Sequence, residues 1–390
     1  MRAFGLVSLM LLAAGCASTP ASPGKSPNSE GSRPGAGEPT ELSRTVVTPE
    51  GAADIDELYA RAEKSMAEGD AKSAAQEFDR VFRLDPNGPR AAEALQAAGL
   101  AHEQAGDRMT SVQRFEQLAS RFPKHSLARD ALTRSIRLWC FLERWQRCGE
   151  ASDALLTRHP DLDHIERIVA FGGKALSLVA AGDTDAASYY VEKARTIVED
   201  HRLDAAGTIT RDVAQLYFAL GEVRRIRAEK ITFQPMPANF AAVLEERCQL
   251  LLDAQTAYSD TMRAKDAHWS AMAGFRVGEL YQKLHEDLMA IPQPKADTDK
   301  RKQLFEGAMR LRYSILLDKA LAMMEHTLSM SARTGEKSSW VEKAEDAKDK
   351  LKKAQKAEQA AIDRLPYTRA ELQAALDDLA QKAVEKDKKK

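Results

Sequence analysis

The chain of 390 residues has almost no net charge: 57 Lys and Arg stand against 58 Asp and Glu, with the two signs interspersed. That balance excludes the basic face or arm by which nucleic-acid binders neutralise phosphate, so no nucleic-acid partner is expected. Aromatic residues make up only 6%, and there are only four cysteines. Chemistry-bearing motifs are also missing. There is no phosphate-cradling glycine loop and no serine elbow; His102 and Glu103 have no second histidine four residues on, and Gly172 and Gly173 lack the rest of a dinucleotide fingerprint. The expectation is a protein that is not an enzyme, with no catalytic residue, no metal, no cofactor and no small-molecule substrate. Past residue 14 no apolar run approaches the roughly 20 residues that cross a bilayer. Gly and Pro are sparse through long stretches rich in Ala, Leu, Glu, Lys and Arg, which is the composition of helices.

The N-terminus is different in kind. Met1 and Arg2 make a short positive head, residues 3–14 are apolar, and Gly15 and Cys16 follow, which reads as a signal peptide over 1–15. Ala13, Ala14, Gly15 and Cys16 resemble the bacterial lipobox, although Leu is the commoner residue where Ala13 stands. The resemblance implies that Cys16 becomes the acylated N-terminus of a lipoprotein, and that Ala17, in place of a retaining Asp, directs it to the outer membrane facing the periplasm. Residues 16–53 are dense in Pro, Gly, Ser and Thr and cannot bury a core, so they read as a tether. A flexible chain of this length reaches about 30 to 35 Å. Membrane attachment is therefore expected through lipid alone.

Residues 54–203 are periodic. Gly69 and Gly106, Phe78 and Phe115, and Pro86 and Pro123 are each separated by 37 residues, and Pro160 follows Pro123 by the same interval. Within one period Leu58 opens a first helix, Gly69 and Asp70 turn the chain, Ala74, Phe78 and Val81 line a second helix, and Pro86 ends it. The second period has Leu95, Gly99, Gly106, Ser111, Phe115, Leu118 and Pro123. A degenerate third has Leu132, Ile136, Trp139, Cys148 and Leu155, with Glu143 where the turn glycine should be. The fourth has Phe171, Ala175, Gly182, Asp183, Ala187, Val191 and Ala194. This pattern resembles the tetratricopeptide repeat (TPR), and it implies an all-α fold of helix-turn-helix units that stack because a single pair leaves an apolar face in water. The first helices would then line a concave surface. The register places Tyr59, Glu63, Met66, Gln96, Leu100, Glu103, Arg137 and Phe141 there, a mixed set that suits a peptide or helix of another protein.

The repeat grammar loosens after residue 203. Longer helices are expected at about 208–231, 241–265, 267–289, 298–333 and 337–364, forming hairpins that continue the solenoid, with Pro-containing loops at 232–239 and 291–297. Tyr258, Trp269, Phe275, Leu280, Tyr281 and Leu284 recur at helical spacings and read as core. A further helix and a basic tail occupy 365–390, and the charged run at 343–361 reads as a solvated face.

The register also sets Cys140 and Cys148 across one hairpin turn. A bridge needs α-carbons within about 7 Å, whereas helix axes usually stand about 8 to 10 Å apart. A disulfide and a small residue in the hairpin slot both fit, and the second is the stronger expectation. Cys248 reads as buried and inert.

Two further resemblances concern function. The segment ASRFPKHSLARDAL at 119–132 is similar to a repeat junction in outer-membrane-protein assembly lipoproteins, through Arg121, Phe122, Pro123, Ser126, Ala128, Asp130 and Ala131. The second half, through Ala257, Tyr258, Trp269, Ala273, Phe275, Gly278, Leu280, Tyr281, Trp340 and Val341, resembles the TPR lipoprotein of the myxobacterial adventurous gliding machinery. The latter implies a scaffold or adaptor whose partners are other envelope proteins of a motility complex; the former implies assembly or client binding.

Overall fold

The computed structural model describes residues 49–205, 207–235, 237, 239–291 and 298–377, with side chains from 54 onward. Cys16, the signal peptide and residues 17–48 of the tether lie outside the described residues, as does the basic tail from 378. Every regular element among the described residues is helical. The chain divides into two compact units, one ending at Ala131 and one beginning at Leu132. The boundary expected at 203/204 lies within the second unit.

The four repeats are helix pairs: α1 (Pro49–Ala67) with α2 (Ala71–Leu84), α3 (Ala91–Gln104) with α4 (Arg108–Arg121), α5 (Leu127–Phe141) with α6 (Trp145–Arg158), and α7 (His164–Ala180) with α8 (Thr184–Asp200). One turn serves all four. Gly69, Gly106 and Gly182 adopt φ of 85°, 86° and 84°, the left-handed region that closes a helix most cheaply with glycine. The next amide then bonds back five residues, Asp70 to Ser65, Asp107 to His102 and Asp183 to Leu178. The same aspartates cap the following helix, accepting from the amides of Ser73, Thr110 and Ala186. In the third repeat Glu143 takes the glycine's place at φ 57°, and Arg144 bonds back to Trp139 as its counterparts do. The prolines act as expected: α2, α4 and α6 stop at Leu84, Arg121 and Arg158, two residues before Pro86, Pro123 and Pro160.

Packing in the first unit follows residue size. Ala62, Ala74, Ala98 and Ala101 are completely buried and let helices approach around Phe78. Gly99 lies against the ring of Phe115, so close that a β-carbon would stand 2.6 Å from it. Buried Asp79 of α2 receives two bonds from Arg114 of α4, at 2.6 and 3.1 Å, and lies 3.1 Å from His102 Nε2 of α3. One carboxylate thus ties three helices together.

The second unit continues with α9 (Arg211–Lys230), α10 (Phe240–Met262), α11 (Ala267–Met289), α12 (Asp299–Thr334), α13 (Ser339–Asp363) and a helical stretch at 369–377, α14. Helices α9 to α13 match the expected helices to within three residues at each end. Helix α9 packs against α7, α8, α10 and α11 and is buried nearly all round, which explains why its sequence shows little amphipathic pattern. Tyr258, Trp269, Leu280 and Leu284 are core residues, while Phe275 and Tyr281 are half-buried. Gly335 ends α12 at φ 73°. No described helix is long and apolar enough to cross a membrane.

Candidate functional site

In the first unit the predicted concave residues fall on two helix faces. Tyr59, Glu63 and Met66 follow one another along α1, and Gln96, Leu100 and Glu103 do so along α3, each set at intervals of four and three residues that share a face. Glu63 is exposed and the other five are half-buried. Tyr59 meets the Phe78 ring edge-on at 5.2 Å and lies under the Arg90 guanidinium at 4.8 Å. Burial, and then the charges of Glu63 and Glu93, raise its phenol pKa, so it serves as a neutral hydrogen-bonding aromatic. Met66 packs on the alanine cluster. Gln96 donates to Asp130 at 2.5 Å, and its buried amide oxygen has no hydrogen-bond partner. These two faces therefore offer a phenol, a thioether, an aliphatic side chain and carboxylates on a small-residue core.

Arg137 and Phe141 belong to the second unit, and there the half-buried side chains have partners within the chain. Arg137 forms a two-pronged pair with Asp212 of α9, both contacts 2.8 Å. Phe141 stacks on His268 of α11 at 4.1 Å. Glu143 accepts a 2.6 Å bond from the indole of Trp340 on α13. At these positions the inner face of α5 meets the chain's own later helices, which follow 75 or more residues on in the sequence, a distance that repeat register alone does not track. The Trp340 bond also accounts for a glutamate in a left-handed turn, since glycine would relieve strain but present no acceptor.

Cys140 and Cys148 are joined, with α-carbons 5.4 Å apart, so the small-residue reading of Cys148 is replaced by a disulfide. The close approach comes from their position at the turn itself, where the two helices converge, and from Gly173 beneath, whose β-carbon would stand 2.9 Å from Cys148 Sγ. Gln215 of α9 donates to Cys140 Sγ at 3.4 Å. Cys248 keeps a free thiol, its pKa raised by burial.

Beside Glu143 and Trp340 lies a cavity of about 370 Å³, lined also by Phe218, Glu222, Arg225 and Arg276. Its centre is Glu222, 5% exposed, which accepts from the Tyr258 hydroxyl at 2.6 Å and from Arg225 at 2.9 and 3.2 Å. Arg276 Nε lies 2.9 Å from the same carboxylate without bonding alignment, and its guanidinium sits 5.1 Å above the Trp340 ring. Burial would raise the Glu222 pKa, but the two arginines outweigh it and hold the carboxyl ionised below its ordinary range. Arg225 is completed by Glu229 and Arg276 by Glu279. The members of the cluster pair with one another, Arg276 Nε alone lacking a hydrogen-bond acceptor, so its geometry locks α9, α10 and α11 together. Repeat periodicity misses it because these residues stand at no repeat position; Glu222 and Arg225, three apart just after the largely apolar stretch 213–221, were the sequence signal. Among the described residues no cluster could hold a metal ion.

No protein-family model and no curated relative matches this chain by sequence. Among solved structures it is similar to a tetratricopeptide repeat protein from Parabacteroides merdae, at 14% identity and a TM-score of 0.41, over 77% of this chain and 98% of that one. It is similar also to a Podosopora anserina putative kinesin light chain with nearly identical TPR-like repeats (15%, 0.34, 54% and 97%) and to the P58(IPK) TPR domain (12%, 0.26, 86% and 100%). The assignment of an all-α, TPR-like helical repeat rests on the four matching turns and helix pairs of this chain itself.

Proposed function

We propose that this protein is a non-enzymatic scaffold, anchored by lipid on Cys16 to the outer membrane, whose first repeat unit binds a peptide or helix of another envelope protein. The observation that carries the reading is the pair of half-buried faces on α1 and α3, where Tyr59, Met66 and Leu100 remain partly exposed over a core of small residues. Partly exposed aromatic, thioether and aliphatic side chains with carboxylates at the edge are what a protein partner recognises, and none of them is arranged for bond-making. The Cys140–Cys148 bridge supports an oxidising compartment. The resemblance of the second half to a gliding-machinery lipoprotein supports membership in a motility complex.

The test is a photo-crosslinking residue at Gln96 or Leu100 in living cells, with Cys16→Ala as the localisation control. Expected are capture of motility components by the wild-type anchor and release of the Cys16→Ala chain from membranes. Capture of barrel-assembly proteins or their clients would transfer the protein to outer-membrane biogenesis, and membrane retention of Cys16→Ala would refute the anchor. A crosslinker at Arg137 should react chiefly with the chain's own α9, against which the native side chain lies at Asp212.

A further inference from the structure

A second surface, in the unit beginning at Leu132, is shaped for a partner of definite chemistry. Helix α11 packs against α10 on one side and α12 on the other, and a groove of about 180 Å³ runs among the three. Its floor is Leu280, Leu284 and Leu288 of α11, and Leu251 and Leu252 of α10 form one wall. The other wall is a stripe of α12: Arg312, Ile315, Leu316 and Lys319. These stand at positions i, i+3, i+4 and i+7, so they share one helix face, two aliphatic side chains between two cations.

Three observations show that the stripe is unfinished. Ile315 is 51% exposed, among the few large hydrophobic residues so open. Arg312 and Lys319 form no ion pair among the described residues; each lies only over an aromatic ring, Tyr313 at 5.9 Å and Tyr281 at 5.3 Å. Arg310, two residues away, shows how the fold treats an arginine that it uses, with Glu306 and Glu358 both bonded to it. Finally, Tyr313 lines the groove and its buried hydroxyl has no hydrogen-bond partner.

We infer that this groove docks an amphipathic helix of a protein partner, one that carries two carboxylates seven residues apart with one or two leucine-sized side chains between them. The room fits, since a cavity of about 150 Å³ accepts a benzene-sized group. Spacing decides between a peptide and a lipid. Arg312 and Lys319 are seven residues apart, about 10.5 Å along the axis. A single-headed amphiphile meets one of them, whereas a helix with acids at i and i+7 meets both and lays its apolar residues on Ile315 and Leu316. The docking is independent of the α1 and α3 faces.

The probes are a labelled alanine-based helical peptide with Glu at i and i+7 and Leu at i+3 and i+4, its twin with Lys for Glu, and dodecanoate. Binding to the full chain is read by fluorescence anisotropy. The acidic peptide should bind about tenfold or more tighter than the lysine twin. Ile315→Asp should weaken it about tenfold, and Lys319→Glu should weaken it while strengthening the lysine twin. Both substituted side chains are exposed, and an unchanged thermal melt verifies the fold. Equal binding of the two peptides, or of neither up to about 1 mM, would overturn the inference, as would dodecanoate binding where the peptide does not. Capture at Leu100 in cells should be indifferent to Ile315→Asp, which separates failure here from failure of the scaffold reading.

Discussion

Replacing Glu222 with Ala should be among the most damaging single substitutions in the second unit. The carboxylate is 5% exposed and is shared by Arg225, Arg276 and the Tyr258 hydroxyl. Its loss leaves two guanidinium groups facing each other with one neutralising charge removed, and a fully buried phenol without its acceptor. Breaking a buried ion pair from one side costs about 3 to 5 kcal/mol because the stranded charge keeps its desolvation penalty. The unpaired hydroxyl adds about 1 kcal/mol or more. Tyr258→Phe removes the phenol and leaves the ion cluster intact, so it should cost only about 1 kcal/mol. Urea titration at pH 7, followed by tryptophan fluorescence, reports on the second unit, which holds all four tryptophans, among them Trp340 beside Arg276 and Trp269 at 5.5 Å from Phe218. A loss under about 1 kcal/mol for Glu222→Ala would mean that water fills the cavity and solvates the arginines, and the cluster would not be the clamp described above.

Two other outcomes follow from local geometry. Reducing the Cys140–Cys148 bridge, or replacing both cysteines with Ala, reopens a loop with a sequence separation of 8 and should lower stability by about 2.5 kcal/mol, visible as a lower urea midpoint in dithiothreitol; an identical midpoint with and without reductant would refute the bridge. For Asp79, burial pushes its pKa up, but bonds from Arg114 and His102 outweigh this and hold it below the ordinary value of 3.8. A folded-state pKa below the unfolded value stabilises fully above the unfolded pKa and is lost as pH falls through the folded one. Wild-type stability should therefore fall with acid below about pH 4 more steeply than that of Asp79→Asn, and parallel curves for the two would show that the network contributes nothing.

The sequence, read alone, located the helix pairs because their markers are local. A glycine that must adopt positive φ, an aspartate that caps the next helix and a proline that ends it act within a few residues of themselves, and a repeat interval of 37 multiplies the signal. Even the substitution of Glu143 for glycine was visible as an anomaly. Its reason was not, because the indole that bonds it lies 197 residues away. The contacts of Arg137 and Phe141 with Asp212 and His268 were hidden for the same reason: register assigns a residue to a helix face but does not say what later helix meets that face.

The candidate groove divides in the same manner. That Arg312, Ile315, Leu316 and Lys319 share a face is a property of helical periodicity. That the two cations meet no acid of another helix, while Arg310 nearby adds Glu358 of α13 to the Glu306 of its own helix, depends on where α11 and α13 come to rest. The same holds for Glu222, whose neighbours Arg276 and Tyr258 are distant in sequence and adjacent only after α9, α10 and α11 have packed. Local backbone chemistry and side-chain size, which the sequence determined by itself, set the elements, their turns and their small-residue contacts. Only tertiary structure decided which charges are paired, which faces are covered and whether two cysteines meet, since these depend on long-range packing that no short-range periodicity encodes.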